Sequence, residues 1–465
     1  MKKPIRNVMP AALMTICFLT GCGKSPDQLD RNWTAPGAIS VSPSGLGGAI
    51  VLHEFQDTLI GIAVHQGSVQ LHRLNPDKNS WSELSIGDIP SGYLWYGAAI
   101  DPQNGRVLVP NGYSENEQLA MKVLVAMISQ NGSLEGVTEK QWITDKKSLL
   151  GETGPSVTLN RPTTQYDRAN REGAGLGVGV VNGVDILIPY AVNAFTYSET
   201  PVHYQGKTHY RKAFERGPFA SGIFYSPDSG KTWQLEKISQ QMAIAPALCK
   251  TKEHIYYFAG VYPLWSSRRL DQGGQWEKPR EVATTFAMVS GIFDVAGDGD
   301  TAHICWMDRR HNKTRFNLTG PPIENNDIYY RRRKDSDREW SKEIWLSKGL
   351  LYCYAPTIAA EGDNVVVAWA GIHKAGRQHS DMGPNDIYYV TSKDGGQTWT
   401  KLLKVTDGAK DGITAGMPQV ALLNGTIHLL YIQGAQQSPK ELSPGLTKLG
   451  QGPWPIYHTQ RPFPK

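Results

Sequence analysis

The octet Ser392-Lys393-Asp394-Gly395-Gly396-Gln397-Thr398-Trp399 recurs as Ser226-Pro227-Asp228-Ser229-Gly230-Lys231-Thr232-Trp233. Both copies follow an apolar run that is typical of a β-strand. An Asp carboxylate can accept hydrogen bonds from backbone N–H groups that follow it, and Gly tolerates positive φ. The closing Thr-Trp pair begins a new strand with a large apolar side chain. Each octet therefore predicts the tight turn of a β-hairpin.

Weaker copies keep the spacing from Asp271 to Trp276 and from Asp335 to Trp340, and the stretch 75–81 is one residue shorter. Strands and turns recur around six tryptophans, namely Trp81, Trp142, Trp233, Trp276, Trp340 and Trp399. This recurrence favours an all-β propeller of four-stranded antiparallel blades. Strands at 417–423, 426–432 and 455–458 follow the last octet, and residues 37–41 can supply a fourth strand. We therefore predict seven blades, with six as the alternative.

The repeated turns resemble the Asp box (BNR repeat) of sialidase-like β-propellers. The resemblance implies that the box joins the third strand of a blade to the fourth and is structural, through Ser226, Asp228, Gly230, Thr232 and Trp233 and through Ser392, Asp394, Gly396, Thr398 and Trp399. Sialidases place a Glu and then a carboxylate-binding Arg after the box. The corresponding stretches 242–247 and 257–260 contain neither residue type. No catalytic residue carries over, no release of sialic acid is expected, and whether the chain is an enzyme stays open.

The amino terminus has the three parts of an export signal: Lys2, Lys3 and Arg6, an apolar run over 8–19, and Leu19-Thr20-Gly21-Cys22. The tetrapeptide resembles the lipobox of bacterial lipoproteins, which implies removal of residues 1–21 and acylation of Cys22. Gly23 at the next position resembles the signal for the outer membrane. We expect an exported, lipid-anchored protein on the periplasmic side or at the cell surface, with a tether over 22–36 and a propeller over 37–465.

Composition excludes few function classes. The net charge of +5 is modest and does not demand a nucleic-acid partner. Cys249, Cys305 and Cys353 lie among apolar strand residues, so buried free thiols are expected, although pairing of two of them stays open. Asp298 and Asp300 fit a hairpin turn better than a calcium loop, and no motif calls for a cofactor or a metal.

Long insertions at 193–218, 308–327 and 373–386 fall between the second and third strands of their blades, opposite the octet turns. They are rich in basic residues, and the ligand-binding candidates are His209, Arg211, Arg216, Arg309, Arg310, His311, Arg377 and His379. Arginine can grip planar anions with two hydrogen bonds, and Tyr197, Tyr204 and Trp265 can stack on sugar rings. The pattern predicts that this face binds an anionic glycan or a similar extracytoplasmic ligand.

Three functions remain open. Binding without catalysis is favoured over a glycan-active enzyme, either a glycoside hydrolase or a uronate polysaccharide lyase. A lyase needs a His or Tyr base beside an Arg that neutralises the uronate carboxylate, and His203, His209, Tyr210 and Arg211 supply those types. A scaffold for protein partners in the envelope is the third possibility.

Replacing the lipobox cysteine tests the expected anchor. Cys22→Ser should block processing or release the protein from membranes, because serine offers no thiol for acylation. Cys17→Ser, in the apolar run, is the control and should leave both unchanged. Membrane fractionation and incorporation of labelled palmitate measure the outcome, and a native protein that carries no palmitate would contradict the expectation.

Overall fold

The computed structural model of the chain describes residues 28–42, 50–55, 58–65, 68–75, 80–88, 99–101, 105–115, 118–128, 134–145, 173–176, 179–204, 207–241, 246–260, 263–283, 293–308, 310–311, 326–373, 384–435 and 454–464. These residues form seven β-sheets and one short 3₁₀ helix, Ala409–Asp411. No described helix has the length and apolar character needed to cross a bilayer.

The sheets follow one another along the chain, apart from β1 (Gly37–Ser42), which joins the last of them. Blade 1 contains β2 (Ile50–Phe55), β3 (Thr58–His65), β4 (Ser68–Asn75) and β5 (Ser80–Asp88). Blade 2 contains β6 (Ala99–Ile100), β7 (Arg106–Glu115), β8 (Gln118–Ile128) and β9 (Leu134–Asp145). Blade 3 contains β10 (Gly173–Leu176), β11 (Val180–Asn182), β12 (Asp185–Tyr204), β13 (Lys207–Ser226) and β14 (Gln234–Ser239).

The remaining blades have the same antiparallel order. Blade 4 contains β15 (Ala247–Lys250), β16 (His254–Gly260), β17 (Leu264–Leu270) and β18 (Arg280–Ala283). Blade 5 contains β19 (Phe293–Asp298), β20 (Thr301–Asp308), β21 (Asp327–Lys334) and β22 (Ile344–Trp345). Blade 6 contains β23 (Leu350–Glu361), β24 (Asn364–His373), β25 (Asp386–Ser392) and β26 (Leu403–Lys404), and blade 7 contains β27 (Ile413–Leu423), β28 (Thr426–Ala435) and β29 (Trp454–Pro462).

The two ends of the chain close the ring. Strand β1 pairs with β29 from Gly37↔His458 to Ser42↔Trp454 and so becomes the fourth strand of blade 7. In blade 3 the short strands β10 and β11 both pair with β12 and together take the position of the first strand. The prediction of a seven-bladed, four-stranded propeller is confirmed, and the six-bladed alternative is wrong. The closing strand is the one that sequence reasoning assigned to residues 37–41.

The hydrophobic core is divided among the interfaces between blades. One cluster joins Tyr330 of blade 5 to Trp369 of blade 6, and another joins Leu59 of blade 1 to Leu430 of blade 7. Every residue of β20 and β25 is buried, because a blade is covered on both of its faces. Both strands have an unbroken apolar stretch, Ile304 to Met307 in β20 and Ile387 to Val390 in β25, where a strand buried on one face would alternate.

Acidic side chains at the first hairpin turns tie successive blades together. Asp298 of blade 5 accepts a hydrogen bond from the backbone N–H of Gly362 in blade 6, at 2.5 Å. Glu361 of blade 6 in turn accepts from the N–H groups of Asn424 and Gly425 in blade 7, at 2.9 and 3.0 Å. The expected hairpin chemistry for Asp298 is thus extended by a contact between blades.

The two octets form turns that are organised by their own Asp. Asp394 accepts from the backbone N–H of Thr398 at 2.9 Å and from Ser392 Oγ at 2.7 Å, and Asp228 is bound likewise. Burial opposes ionisation of Asp394, but these hydrogen bonds lower its pKa to about 2. Gly396 has φ +85°, and a Cβ there would lie 1.8 Å from the Tyr330 hydroxyl, so both conformation and space require glycine.

The weaker copies use their Asp differently. Asp335 accepts from Thr251 Oγ1 at 2.7 Å and from the N–H of Glu253 at 3.0 Å, so it binds blade 4 rather than its own turn. Asp271 accepts from Asn182 Nδ2 of blade 3 at 3.0 Å. Both lack the Ser two residues before and the Thr four residues after that hold the octet carboxylates. Because these two carboxylates are not held within their own turns, they can accept hydrogen bonds from the neighbouring blade.

Part of the predicted tether is docked on the propeller. Asp30 is buried and accepts hydrogen bonds from Arg461 of blade 7 and from the Tyr389 hydroxyl of blade 6. Trp33 packs edge-on against the Tyr389 ring, with centroids 5.3 Å apart. Residues 28–36 therefore cross the seam between the last two blades before β1 begins. Cys249, Cys305 and Cys353 are buried free thiols, as expected.

The insertion at 193–218, expected as a connection between strands, is a continuation of β12 and β13. Ten further pairs extend the ladder from Phe195↔Arg216 to Tyr204↔Lys207. The stretch is rich in β-branched and aromatic residues, and this composition favours strand over loop. We call the residues 195–204 and 207–216 the blade 3 arm.

Buried histidines lie where blade 7 meets blade 1. His428 Nδ1 and His458 Nε2 are 3.2 Å apart, and Trp81 packs edge-on against the His458 ring at 5.2 Å. Burial lowers the pKa of His428 to about 4 and that of His458 to about 3. Because the folded pKa values lie below the unfolded value of about 6.5, the unfolded chain takes up protons first as the pH falls. The stability that the folded state gains by keeping His428 and His458 neutral is fully present above pH 6.5 and declines as the pH falls towards 4.

Replacing one member of this pair should flatten the acid dependence of stability. His458→Gln removes a group that must stay neutral in the folded state, so its melting temperature should fall less steeply than that of the wild type between pH 6.5 and 4. Thr459→Val, a neighbouring buried change without a titrating group, is the control and should keep the wild-type slope. Parallel curves for His458→Gln and wild type in calorimetry would refute the assignment.

Candidate functional site

The described residues bring a polar and aromatic cluster together at the 2–3 end of blade 5, the end where its second and third strands are connected. Asp308 closes β20 and Asp327 opens β21, and the two are register partners. The cluster consists of Asp308, Arg310, His311, Asp327, Tyr329, Glu343, Trp345, Ser347 and Lys348, and we call it the blade 5 cluster. It includes two of the ligand-binding candidates that the sequence predicts.

Arg310 is fixed by carboxylates and by an aromatic ring. Its Nη2 donates to Asp308 Oδ2 at 2.6 Å, its Nη1 donates to Glu343, and its guanidinium carbon lies 4.0 Å from the centre of the Tyr329 ring. Burial alone lowers the pKa of Arg310, but the hydrogen bonds to Asp308 and Glu343 raise it overall. The side chain therefore remains a cation whose position is set by its neighbours.

His311 is held by a buried carboxylate and remains accessible. Its Nδ1 lies 3.0 Å from Asp327 Oδ2 and 3.3 Å from the Tyr329 hydroxyl. The side chain is 42% exposed, and no described residue hydrogen-bonds to Nε2. A carboxylate on one ring nitrogen fixes the tautomer and leaves the other nitrogen for a ligand or a proton.

Trp345 is the half-buried aromatic residue of the cluster. Its indole N–H donates to Asp327 Oδ1 at 3.0 Å and to Ser347 Oγ at 3.1 Å, which fixes the ring. The His311 ring lies 4.4 Å from the Trp345 ring between centroids, and Lys348 Nζ lies 5.7 Å from its centre. An oriented indole is thus flanked by an imidazole and an exposed ammonium group.

The charges of the blade 5 cluster are nearly balanced. Arg310 and Lys348 stand against Asp308, Asp327 and Glu343, and Arg331 adds a further cation 3.8 Å from Glu343. The sequence predicted that arginine side chains of this face bind an anion directly. In the structure Arg310 is already bonded to protein carboxylates, so Lys348 is the more exposed cation of the cluster, and His311 is an accessible imidazole beside it.

Blade 6 repeats the carboxylate framework of this cluster, and there Asp386 pairs with the buried Lys404, whose Nζ lies 3.5 Å from Asp386 Oδ2. Asn326-Asp327-Ile328-Tyr329-Tyr330 in blade 5 corresponds to Asn385-Asp386-Ile387-Tyr388-Tyr389 in blade 6. Asp386 accepts from Thr406 Oγ1 at 2.9 Å, as Asp327 accepts from Ser347 Oγ at 3.1 Å. The repeated pentapeptide is the sequence signal that could have located Asp327 and Tyr329, which sequence reasoning missed. Glu343, Trp345 and Lys348 carry no such signal.

The other predicted site residues are distributed as follows. His209, Arg211 and Arg216 lie in the β13 part of the blade 3 arm. Arg309, Arg377, His379 and the lipidation candidate Cys22 lie outside the described residues. Trp265, expected to stack on sugars, is instead buried and packs on Tyr257 at 5.3 Å between centroids.

A second group of polar residues lies at the opposite end of the propeller. Ligand atoms of Glu253, His254 and Asp335 lie within 4.8 Å of one another. The Asp335 carboxylate already accepts from Thr251, from the N–H of Glu253 and from His254 Nδ1 at 3.0 Å. This donor set fits a carboxylate clamp between blades 4 and 5.

The chain matches no protein-family model, and no curated relative was found. Among solved structures it is similar to the Trypanosoma rangeli sialidase in complex with 2,3-difluorosialic acid, at 9% identity over 90% of this chain and 54% of that one, with a TM-score of 0.38. It is also similar to polysaccharide lyase Uly1, at 10% identity over 96% and 93% of the two chains with a TM-score of 0.47, and to YCF48 bound to D1 peptide, at 12% identity over 94% and 99% with a TM-score of 0.43.

The alignment takes up about half of the Trypanosoma rangeli chain. At identities near one tenth and TM-scores below 0.5, none of these similarities assigns an activity to this protein.

The two matched carboxylates should prove equally important for stability. Asp327→Ala and Asp386→Ala each leave a buried hydroxyl donor without its acceptor, so each should lower the free energy of unfolding by about 1–3 kcal/mol. Urea unfolding measures both. Wild-type stability in either variant would show that the carboxylate does not hold the end of its blade.

Proposed function

We propose that this chain is a lipid-anchored protein of the cell envelope that binds an acidic glycan at the 2–3 end of its propeller. The observation that carries the proposal is the fixed, half-buried Trp345 flanked by His311 and the exposed Lys348. An indole offers a flat apolar surface to the C–H face of a pyranose ring, and a neighbouring cation favours a carboxylate or sulfate on that ring.

Preorganisation supports binding at this place. The Trp345 N–H and the His311 Nδ1 both hydrogen-bond to the buried Asp327, so the two rings are already fixed before a ligand binds. Binding would therefore not cost conformational entropy at either ring. Arg310 on Tyr329 extends the same surface along blade 5. The envelope location rests on the lipobox at Cys22, which lies outside the described residues.

Acid–base catalysis on the same glycan is the second candidate. His311 is oriented by Asp327, its Nε2 has no partner among the described residues, and the Tyr329 hydroxyl is 3.3 Å from Nδ1. This brings together the base and cation types that the sequence assigned to a uronate lyase, but on His311, Tyr329 and Arg310 rather than on the blade 3 arm. A base in this position would remove the proton from C5, next to the uronate carboxylate, while the bond from C4 to the bridging oxygen breaks. The products would be an unsaturated C4=C5 sugar and a leaving oxygen that takes up a proton.

Titration calorimetry with a polygalacturonate tetrasaccharide tests the proposal. The wild type should bind, and Trp345→Ala and His311→Ala should each weaken binding about tenfold, because the first removes the stacking surface and the second removes a hydrogen-bonding imidazole beside it. Trp399→Ala is the matched control, since it removes another half-buried indole at the opposite end and should leave affinity unchanged.

The same samples separate binding from turnover. Ultraviolet absorbance that rises with time and is lost in His311→Gln would establish the lyase candidate. Equal affinity of the Trp345→Ala variant and the wild type would place the glycan elsewhere. Absence of binding to uronate and sulfated saccharides alike would sink the proposal and favour a scaffold for protein partners.

A further inference from the structure

The blade 3 arm extends past its own blade. Strand β10 pairs with β12 only up to Asn193, and β14 pairs with β13 only from Ser221 onwards. A register shift between Asn193 and Phe195 marks the point where the arm begins. Ten residue pairs at about 3.3 Å per residue give the arm a length of about 30 Å. Among the described strands, none pairs with either edge of the arm.

A two-stranded ribbon without a covering layer is only marginally stable in water, and unpaired strand edges invite association. An arm of this length is therefore expected to have a binding partner that stabilises it. It starts from the same end of the propeller that carries the blade 5 cluster, because β12 and β13 are the second and third strands of blade 3.

The register divides the arm into two faces, since directly paired residues share a face and successive residues alternate. One face carries the pairs Phe195↔Arg216, Tyr197↔Phe214, Glu199↔Lys212, Pro201↔Tyr210 and His203↔Thr208. The opposite face carries Thr196↔Glu215, Ser198↔Ala213, Thr200↔Arg211, Val202↔His209 and Tyr204↔Lys207. Four of the five aromatic residues of the arm thus fall on the first face, which we call the aromatic face.

The charge of the arm points to an anionic occupant. Its described residues include four Lys or Arg residues against two Glu residues, with two histidines besides. On the aromatic face Lys212 and Arg216 alternate along β13 with Tyr210 and Phe214, and Glu199 is the register partner of Lys212. Aromatic residues spaced along an extended strand, with cations between them, match a linear chain of sugar rings that carry acidic groups.

We infer that the aromatic face of the blade 3 arm is an extended binding track for an acidic polysaccharide. The inference rests on the proposed function and deepens it: the blade 5 cluster binds one or a few sugar rings, and the arm contacts the polymer beyond them. The ligand is thus a long polyanion rather than a terminal sugar. The gain in affinity with chain length comes from contacts that a short oligosaccharide cannot reach.

Two triple variants of the full-length protein test the track, one for each face. Tyr197→Ser, Tyr210→Ser and Phe214→Ser together change the aromatic face, whereas Val202→Ser, Tyr204→Ser and Ala213→Ser change the opposite face. The probes are polygalacturonate of about 50 residues and its tetrasaccharide. The aromatic-face variant should bind the polymer at least about tenfold more weakly than the wild type and bind the tetrasaccharide equally well. The opposite-face variant should bind both probes as the wild type does.

Charge reversal provides a second measurement in case the triple variant misfolds. On the aromatic face, Lys212→Glu with Arg216→Glu should weaken polymer binding and reduce its salt dependence. On the opposite face, Lys207→Glu with Arg211→Glu should cause a smaller loss of polymer affinity. The inference of a binding track would be wrong if variants of both faces lost polymer affinity equally. It would also be wrong if the wild type bound the polymer no more tightly than the tetrasaccharide. Concentration-dependent dimerisation that the aromatic-face variant abolishes would overturn it as well, since the arm would then pair with a second copy.

The failures are distinguishable. If the wild type binds the tetrasaccharide but binds the polymer no more tightly, the binding track is refuted and the proposed function is not. A wild-type protein that binds neither probe removes both.

Discussion

Each blade of this protein needs a neighbour on both of its faces, and that constraint governs the rest of the structure. The central strands β20 and β25 are buried at every position, which is possible only if apolar side chains meet another blade on either side. A row of such sheets has two uncovered ends unless it closes. Pairing of β1 with β29 removes both ends and joins the amino-terminal strand to the last blade.

Polar contacts then fix the orientation of each blade relative to its neighbour. Asp298, Glu361 and Asp335 each bind backbone donors of an adjacent blade, and Asp30 joins the seam of the last two blades. Because these carboxylates are satisfied by donors outside their own strands, they fix the angle between sheets that apolar packing alone leaves adjustable. The 2–3 ends of the blades therefore stand on a rigid frame, where binding residues can be held in place.

Much of the fold could be predicted from the sequence, because turns and strands are local. The octets around Asp228 and Asp394 and the closing strand at 37–41 all lie where the pattern indicated. The blade 5 cluster could be predicted only in part. Arg310 and His311 were found by composition, whereas Asp327 and Trp345 act through contacts between residues 18 positions apart, which spacing does not reveal. The blade 3 arm was missed because a long polar insertion was read as a loop, although its register is that of a continuous ladder.

We propose that an acidic glycan binds at the 2–3 end of the propeller, on the blade 5 cluster and along the blade 3 arm. Hydrogen exchange with and without polygalacturonate tests it most directly, because it locates the ligand on the whole chain. Binding at these places should slow exchange in residues 308–311, 326–330 and 343–348 and in the arm, with no change at the octet turns. Protection confined to the octet turns and first hairpin turns, or no protection at all, would contradict it.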